Sequence, residues 1–271
     1  MTSALPHMRA ELGAAVARSA PGLATANQLC TTCVDLLNVD GAAISMVFDG
    51  ASQGTYGSSS VASRRLDEYQ FTFGQGPCLD AASGGAVVHA PDLDGPQEQR
   101  WPVFTDAVLG DGIRAVFALP VMINSTCVGA LDLFRARPGP LEGDQLTAGL
   151  LAAELAALPL LTLMSLVAAE AEAVRSGTGA GGPVVADAAL VKGHLDEVST
   201  EALDQLDRVE VYQATGMLIA QLGVDAAEAA VRLRAHAIAV GRTASEVARA
   251  IIYEGLTLES DDGYGEEGSR R

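Results

Sequence analysis

The chain has 271 residues, 49% of them hydrophobic, which is enough length and apolar content for two ordinary domains with real cores. Acidic side chains outnumber basic ones 34 to 17, leaving a formal charge of -17 and a pI near 4.5. That excludes a general polyanion-binding surface, because non-specific nucleic-acid affinity comes from Lys and Arg neutralising phosphates. Any nucleic-acid contact must be local. With Lys192 the only lysine, it must run through arginine, which suits forked contacts to phosphate and stacking on bases.

Cys30, Cys33, Cys78 and Cys127 do not make a secreted disulfide framework at this length. The N-terminus carries Arg9, Glu11 and Arg18 where a secretory signal needs an apolar run, so a cytoplasmic location is expected. The charge-free stretch from Leu155 to Ala169 is shorter than the roughly 20 residues of a membrane span and contains Pro159. It is expected to be a buried interface helix, with no membrane partner.

In chain order, residues 1–22 read as a loose or helical lead-in ending at the Pro21-Gly22 break. From Leu23 to Leu37, apolar residues recur at helical spacing and put Cys30 and Cys33 one turn apart. No second Cys pair accompanies them, so they are expected to pack as small hydrophobes and not to bind zinc. Ala42 to Phe48 reads as a strand ending at an Asp49-Gly50 turn, and Thr55 to Ser60 as a second. A short helix is expected around Ala62 to Tyr69. The loop Phe73-Gly-Gln-Gly-Pro-Cys-Leu-Asp80 then leads into a helix from Pro77, a favourable first helical residue. A strand from Ala86 to Ala90, a helix from Trp101 to Leu109, and strands from Ile113 to Val121 and Cys127 to Phe134 complete the set. The last two strands are joined by an Asn124-Ser125 turn. This order describes an α+β sheet with a groove on one face.

A long Ala- and Leu-rich helix is expected from Glu142 to Arg175, kinked or interrupted at Pro159. Residues 176–186, rich in Gly, read as a flexible linker. Val191, Leu195, Val198, Ala202, Leu206 and Val209 then form a stripe down one helix that runs into the C-terminal unit, fit to pair with its copy in a dimer or to pack back on the first domain. Asp225-Ala-Ala-Glu228 and Thr243-Ala-Ser-Glu246 have the form of capping boxes and open two short helices that stop at Gly241 and Gly255. Too short to be stable alone, they must pack on the preceding helix as a three-helix unit. Residues 259–271 are Gly- and acid-rich and read as a disordered tail.

The run Gln213-Ala214-Thr215-Gly216-Met217, the block Ala229-x-x-x-Leu233-Arg234-x-His236-Ala237, and Glu246-Val247-Ala248 together resemble the ANTAR domain, an RNA-binding antitermination module of bacterial regulators. Thr215 stands where many members have Lys, and Ala230 where many have an aromatic. From Phe73-Gly-Gln-Gly-Pro-Cys78 through Arg100-Trp101-Pro102-x-Phe104 and Ile113 to Pro120, and on to Asp132-Leu133-Phe134-Arg135, the chain resembles a GAF domain of the kind joined to ANTAR in actinobacterial regulators. The resemblances imply an α+β GAF sensor domain with an antiparallel sheet and flanking helices at 23–175, then an all-α ANTAR domain with its leading coiled-coil-like helix at 187–258.

The ANTAR likeness implies RNA stem-loops in nascent transcripts as partners and a homodimer to hold paired loops. The candidate RNA-binding residues are Arg208, Gln213, Ala214, Thr215, Gly216, Arg232, Arg234 and His236. Gly216, set among helix formers, suggests close approach of a partner to bare backbone. For the GAF groove the candidate ligand-binding residues are Cys78, His89, Trp101, Arg114, Phe117 and Leu119, with a small molecule or an oxidant as input and the cofactor unknown. Cys78 follows a glycine loop at a helix start, where amide dipoles favour a thiolate, so a thiol redox sensor is an alternative. A C-terminal unit that binds protein or DNA is another. Asp80 and Asp132 are conceivable as a carboxylate pair, but nothing in the sequence brings them together. No nucleophile elbow, phosphate loop or zinc signature is present, and an enzyme is not expected.

Overall fold

The computed structural model describes residues 4–19, 22–48, 51–141, 143–175 and 208–258, with side chains of the long helix described as far as residue 161. The chain divides into two compact units, Met1–Asp207 and Arg208–Arg271.

The first unit is built on a five-stranded antiparallel sheet in the order β2-β1-β5-β4-β3. Its strands are β1 (Gly41–Phe48), β2 (Ala51–Ser58), β3 (Val88–Ala90), β4 (Ala115–Ile123) and β5 (Thr126–Arg135). Against one face pack α1 (Leu5–Arg18), α2 (Leu23–Leu37) and α6 (Gly143–Arg175); over the other lie α3 (Val61–Phe73), α4 (Pro77–Gly84) and α5 (Pro102–Gly110).

The main core lies under α2 and α6. Leu29, Cys30, Cys33 and Leu37 of α2 meet Ile44, Phe117, Leu119, Leu131 and Leu133 of the sheet, and Ala148, Ala152, Ala156 and Leu160 of α6 close the layer. Each such buried large side chain contributes about 1.5–3 kcal/mol. At Gly57, α2 lies close against β2: a Cβ there would stand 2.7 Å from that of Ala26. Leu12 of α1 is wholly buried in this core, so the N-terminal lead-in is a helix integral to the unit. The long helix is not interrupted at Pro159, whose carbonyl accepts a 2.9 Å hydrogen bond from the Tyr56 hydroxyl. Among the described residues, Gly143–Leu161 of this helix is long and apolar enough to cross a membrane, but its buried alanines belong to the sheet core.

Among the described residues, the hydrogen-bond acceptors with which Arg135 closes the end of this core are neutral. Its guanidinium donates to Pro140 O at 2.7 Å, Asn38 O at 2.9 Å, Gln145 Oε1 at 3.1 Å and Leu37 O at 3.3 Å. Burial, then the neighbouring charge of Arg137, lowers its pKa. These bonds join the end of α2, the exit of β5 and the start of α6.

The second unit packs α7 (Val209–Leu222), α8 (Ala226–Ala239) and α9 (Ala244–Tyr253) around Val211, Ala214, Leu218, Ala229, Leu233, Ala237, Val247, Ala248 and Ile251. The two expected capping boxes differ. At α9 the box is complete, with Thr243 Oγ1 accepting from Glu246 N at 3.2 Å and Glu246 accepting from Thr243 N at 2.8 Å. At α8 only half forms: Asp225 accepts from Glu228 N at 2.8 Å, while the Glu228 carboxylate pairs with Arg232 at 2.8 Å. The expected apolar stripe lies outside the described residues except for Val209, which is exposed. Val209 opens α7 directly after Arg208, whose backbone at φ -130° and ψ 8° is not helical.

Two measurements test this packing. Arg135→Met leaves its carbonyl acceptors without a donor and should lower unfolding free energy by about 2–4 kcal/mol, read by urea denaturation; an unchanged midpoint contradicts the staple. Among the thiols, Cys30, Cys33 and Cys78 are fully buried and Cys127 is partly exposed. Burial pushes Cys33 up to about 12 and Cys30 well up. A maleimide at mildly alkaline pH should therefore label Cys127 in the folded protein and the others only on unfolding, as peptide mass spectrometry would show. Equal rates for Cys30 and Cys127 would contradict the packing.

Candidate functional site

The face of the sheet under α3 and α4 carries unusually small side chains. Ala43 and Ala118 flank Asp132 in register, and Ser45 pairs with Ala130 one step along the same face. The space is filled by polar groups from α3. Asp67 is wholly buried and accepts hydrogen bonds from Thr55 Oγ1 at 2.6 Å, Ser45 Oγ at 2.7 Å and Ser52 Oγ at 3.4 Å. One turn later, Gln70 donates to Asp132 Oδ2 at 2.6 Å and accepts from the backbone N–H of Cys78 at 2.7 Å. Burial, and next the charge of Asp67, push the Asp132 carboxyl up to about 8 against the opposing hydrogen bond from Gln70. Asp132 Oδ1 is buried with no hydrogen-bond partner among the described residues.

The six residues expected to line the groove do not come together. Phe117 and Leu119 point to the opposite face, into the α2–α6 core, because side chains alternate along β4 and the positions facing α3 and α4 are Val116, Ala118 and Pro120. His89 is exposed on the edge strand, edge-on to Phe117 at 6.0 Å. Arg114 precedes β4 and pairs with Asp94 at 3.0 Å. Trp101 is buried beside Phe104, donates from Nε1 to Asp80 at 3.0 Å, and is covered by the Arg100 guanidinium at 4.1 Å. Only Cys78 lies at the polar cluster, and it has no solvent exposure. The carboxylate facing Asp132 is that of Asp67, and Asp80 is engaged by Trp101. Sequence reasoning missed Asp67 and Gln70. The available signal was an acid between Leu131 and Leu133 in an otherwise apolar strand, with two polar residues three apart on the helix that covers it.

In the C-terminal unit, α7 turns Tyr212, Gln213, Gly216 and Met217 outward. Among the described residues, a Cβ at Gly216 would meet nothing within 4 Å. Thr215 donates its hydroxyl to Val211 O at 2.7 Å and is half-buried. Ala214 and Arg208 are corrections to the expected RNA face, since both are fully buried. Arg208 sits at the start of α7 beside Arg234 of α8, whose pKa is lowered first by burial, then by the Arg208 charge, with Tyr212 opposing. Arg232 is tied to Glu228 along its own helix, a pairing of the kind that contributes a few tenths of a kcal/mol. Arg249 reaches across from α9 to Glu210 of α7 at 3.3 Å. His236 is half-buried in the last turn of α8.

Comparison with known proteins places these two folds. A family model for the GAF domain matches residues 23–159, just over half of the chain, and a model for the ANTAR domain matches residues 201–252. No curated protein matches the chain. Among solved structures, the GAF domain from an Acinetobacter phosphoenolpyruvate-protein phosphotransferase is 10% identical at a TM-score of 0.48, covering 61% of this chain and 98% of that one. The GAF domain of a phosphoenolpyruvate-protein phosphotransferase (ptsP) from Coxiella burnetii is 16% identical at 0.43, covering 64% and 96%. The reduced form of fRMsr of Staphylococcus aureus is 8% identical at 0.44, covering 59% and 96%. GAF domains are sensor modules and ANTAR domains are RNA-binding modules of antitermination regulators, both regulatory in kind. On the two family matches, the chain belongs to the GAF domain family and carries an ANTAR domain at its C-terminal end.

Proposed function

We propose that this protein is an RNA-binding transcription antitermination regulator, in which the GAF domain takes an input and the ANTAR domain binds stem-loops in nascent transcripts. It acts by binding and not by catalysis, in the cytoplasm. The observation that carries the reading is Gly216. Within a helix, glycine costs about 1 kcal/mol relative to alanine, and at Gly216 nothing among the described residues requires it, since the space over its Cα is open. A partner approaching the bare backbone supplies the reason. RNA loops present splayed bases and sugar–phosphate at short range, and exposed Tyr212 one turn earlier offers a stacking surface beside Arg234. Gln213, Arg232 and His236 are the further side chains assigned to the RNA. Arg208 and Ala214 serve this patch from below, by positioning.

The contact is confined to this patch because the chain as a whole is acidic. The apolar residues from Val191 to Leu206 would join two copies, so that binding of one loop raises the effective concentration of the second ANTAR domain at its partner loop. Residues 176–186 act as the linker between the GAF domain at 23–175 and this assembly at 187–258. Coupling requires the input to favour one arrangement of the chain over another, and that difference sets the change in RNA affinity.

Gly216→Ala should raise the unfolding free energy of the ANTAR domain by about 0.5–1 kcal/mol while weakening stem-loop binding several-fold. This opposite movement separates contact from folding. Arg234→Ala should weaken binding about tenfold through loss of a charge-assisted hydrogen bond. Titration of labelled RNA at fixed salt decides both, and wild-type affinity in both variants contradicts the assigned face.

A further inference from the structure

The polar cluster beneath α3 and α4 has a composition that packing alone does not account for. One carboxylate oxygen each from Asp67 and Asp132 and the sulfur of Cys78 all lie within 4.8 Å of one another, and all three residues are buried. Two carboxylates so placed repel each other when both are ionised. Independently, Asp132 Oδ1 has no hydrogen-bond partner among the described residues although its residue is 0% exposed. A buried acceptor of that kind is costly unless something positive reaches it.

We propose that Asp67, Cys78 and Asp132 form a buried binding site for one divalent transition-metal ion of the zinc and iron(II) class. The donor set selects the class. Magnesium and calcium prefer oxygen alone, copper(I) prefers sulfur, and a mixed thiolate–carboxylate set suits the ions between. Metal–oxygen bonds of about 2.0–2.2 Å and metal–sulfur bonds of about 2.3 Å place ligand atoms roughly 3–4 Å apart, so the cluster closes on an ion with movements of about an ångström. On binding, the ion loses coordinated water and forms two bonds to oxygen and one to sulfur. The Cys78 thiol proton and any proton held by Asp132 leave to solvent, and no oxidant or reductant is needed.

The surrounding groups are those that hold metal ligands in place. Ser45, Ser52 and Thr55 orient the Asp67 carboxylate, and Gln70 holds Asp132 with one end of its amide and the backbone of Cys78 with the other. Three protein ligands leave a coordination position open, the arrangement of reactive or ligand-taking sites and not of closed structural ones. That position gives the sensor domain a place for a small molecule to bind the ion. The site stands independently of the RNA-binding reading.

The test uses the full chain, dialysed against a chelator and titrated with Co2+ alone. The expected result is a thiolate-to-cobalt charge-transfer band that saturates at one ion per chain and is bleached by Zn2+. Cys78→Ser should abolish the band and Cys127→Ser should retain it. Asp132→Asn keeps an acceptor for Gln70, so its metal-free thermal midpoint should not fall, while its Co2+ affinity should drop at least tenfold. Absence of a thiolate band in the wild type, a band that survives Cys78→Ser, or wild-type affinity in Asp132→Asn would overturn the proposal.

Discussion

The GAF unit depends on two side chains one turn apart on α3. Asp67 and Gln70 face the sheet, and between them they bind residues of β1, β2, β5 and the first turn of α4. Ala43, Ala118 and Ala130 make room for them on the strands. An apolar alternative was open to this face, since the opposite face of the same strands is filled by Ile44, Phe117, Leu119, Leu131 and Leu133. A buried carboxylate pair is an expensive way to attach a helix, because desolvation and mutual repulsion must be offset by hydrogen bonds, a retained proton or a cation. The sheet is thus asymmetric: one face supplies packing energy, and the other holds polar chemistry in a fixed geometry.

The ANTAR unit works under the opposite constraint. Half of its buried apolar residues are alanine, with Ala214, Ala229, Ala237, Ala244, Ala248 and Ala250 set among as many larger side chains. Small side chains allow close helix packing but bury little area per residue, so helix ends carry more of the stability. The complete capping box at Thr243 and the left-handed glycine that ends α7, Gly223 at φ 66°, serve that need. Against this background an exposed helical Gly216 stands out, because the unit has little stability to forgo.

Local features were legible in the sequence and facing relationships were not. Leu23–Leu37 and Pro77–Gly84 begin where their spacing and first-turn residues place them, and the helix stops near Gly241 and Gly255 follow from glycine's access to positive φ. Helix α3 runs one turn past its expected end at Tyr69, and β2 starts four residues before Thr55, because inward-facing Ser52 and Thr55 satisfy α3 and do not terminate the strand. Of the groove residues, Phe117 and Leu119 failed on parity, since along β4 they face away from Cys78, and Arg114 lies before the strand begins at Ala115, where it pairs with Asp94. The pairing of Asp132 with Asp67 joins segments far apart in the chain, so no spacing rule could have shown it. Arg208 was misplaced for a similar reason, since a charged residue at a helix start reads as solvated until α8 is packed beside it.

The central proposal is that the ANTAR unit reads RNA in an otherwise acidic protein. The direct measurement is the affinity of the full chain for a paired stem-loop RNA against duplex DNA of matching sequence, at one fixed salt concentration and in parallel with a scrambled, unstructured RNA. Saturable binding to the stem-loop RNA at least tenfold tighter than to either competitor is the predicted result. Equal affinity for all three, or preference for the DNA duplex, would contradict it.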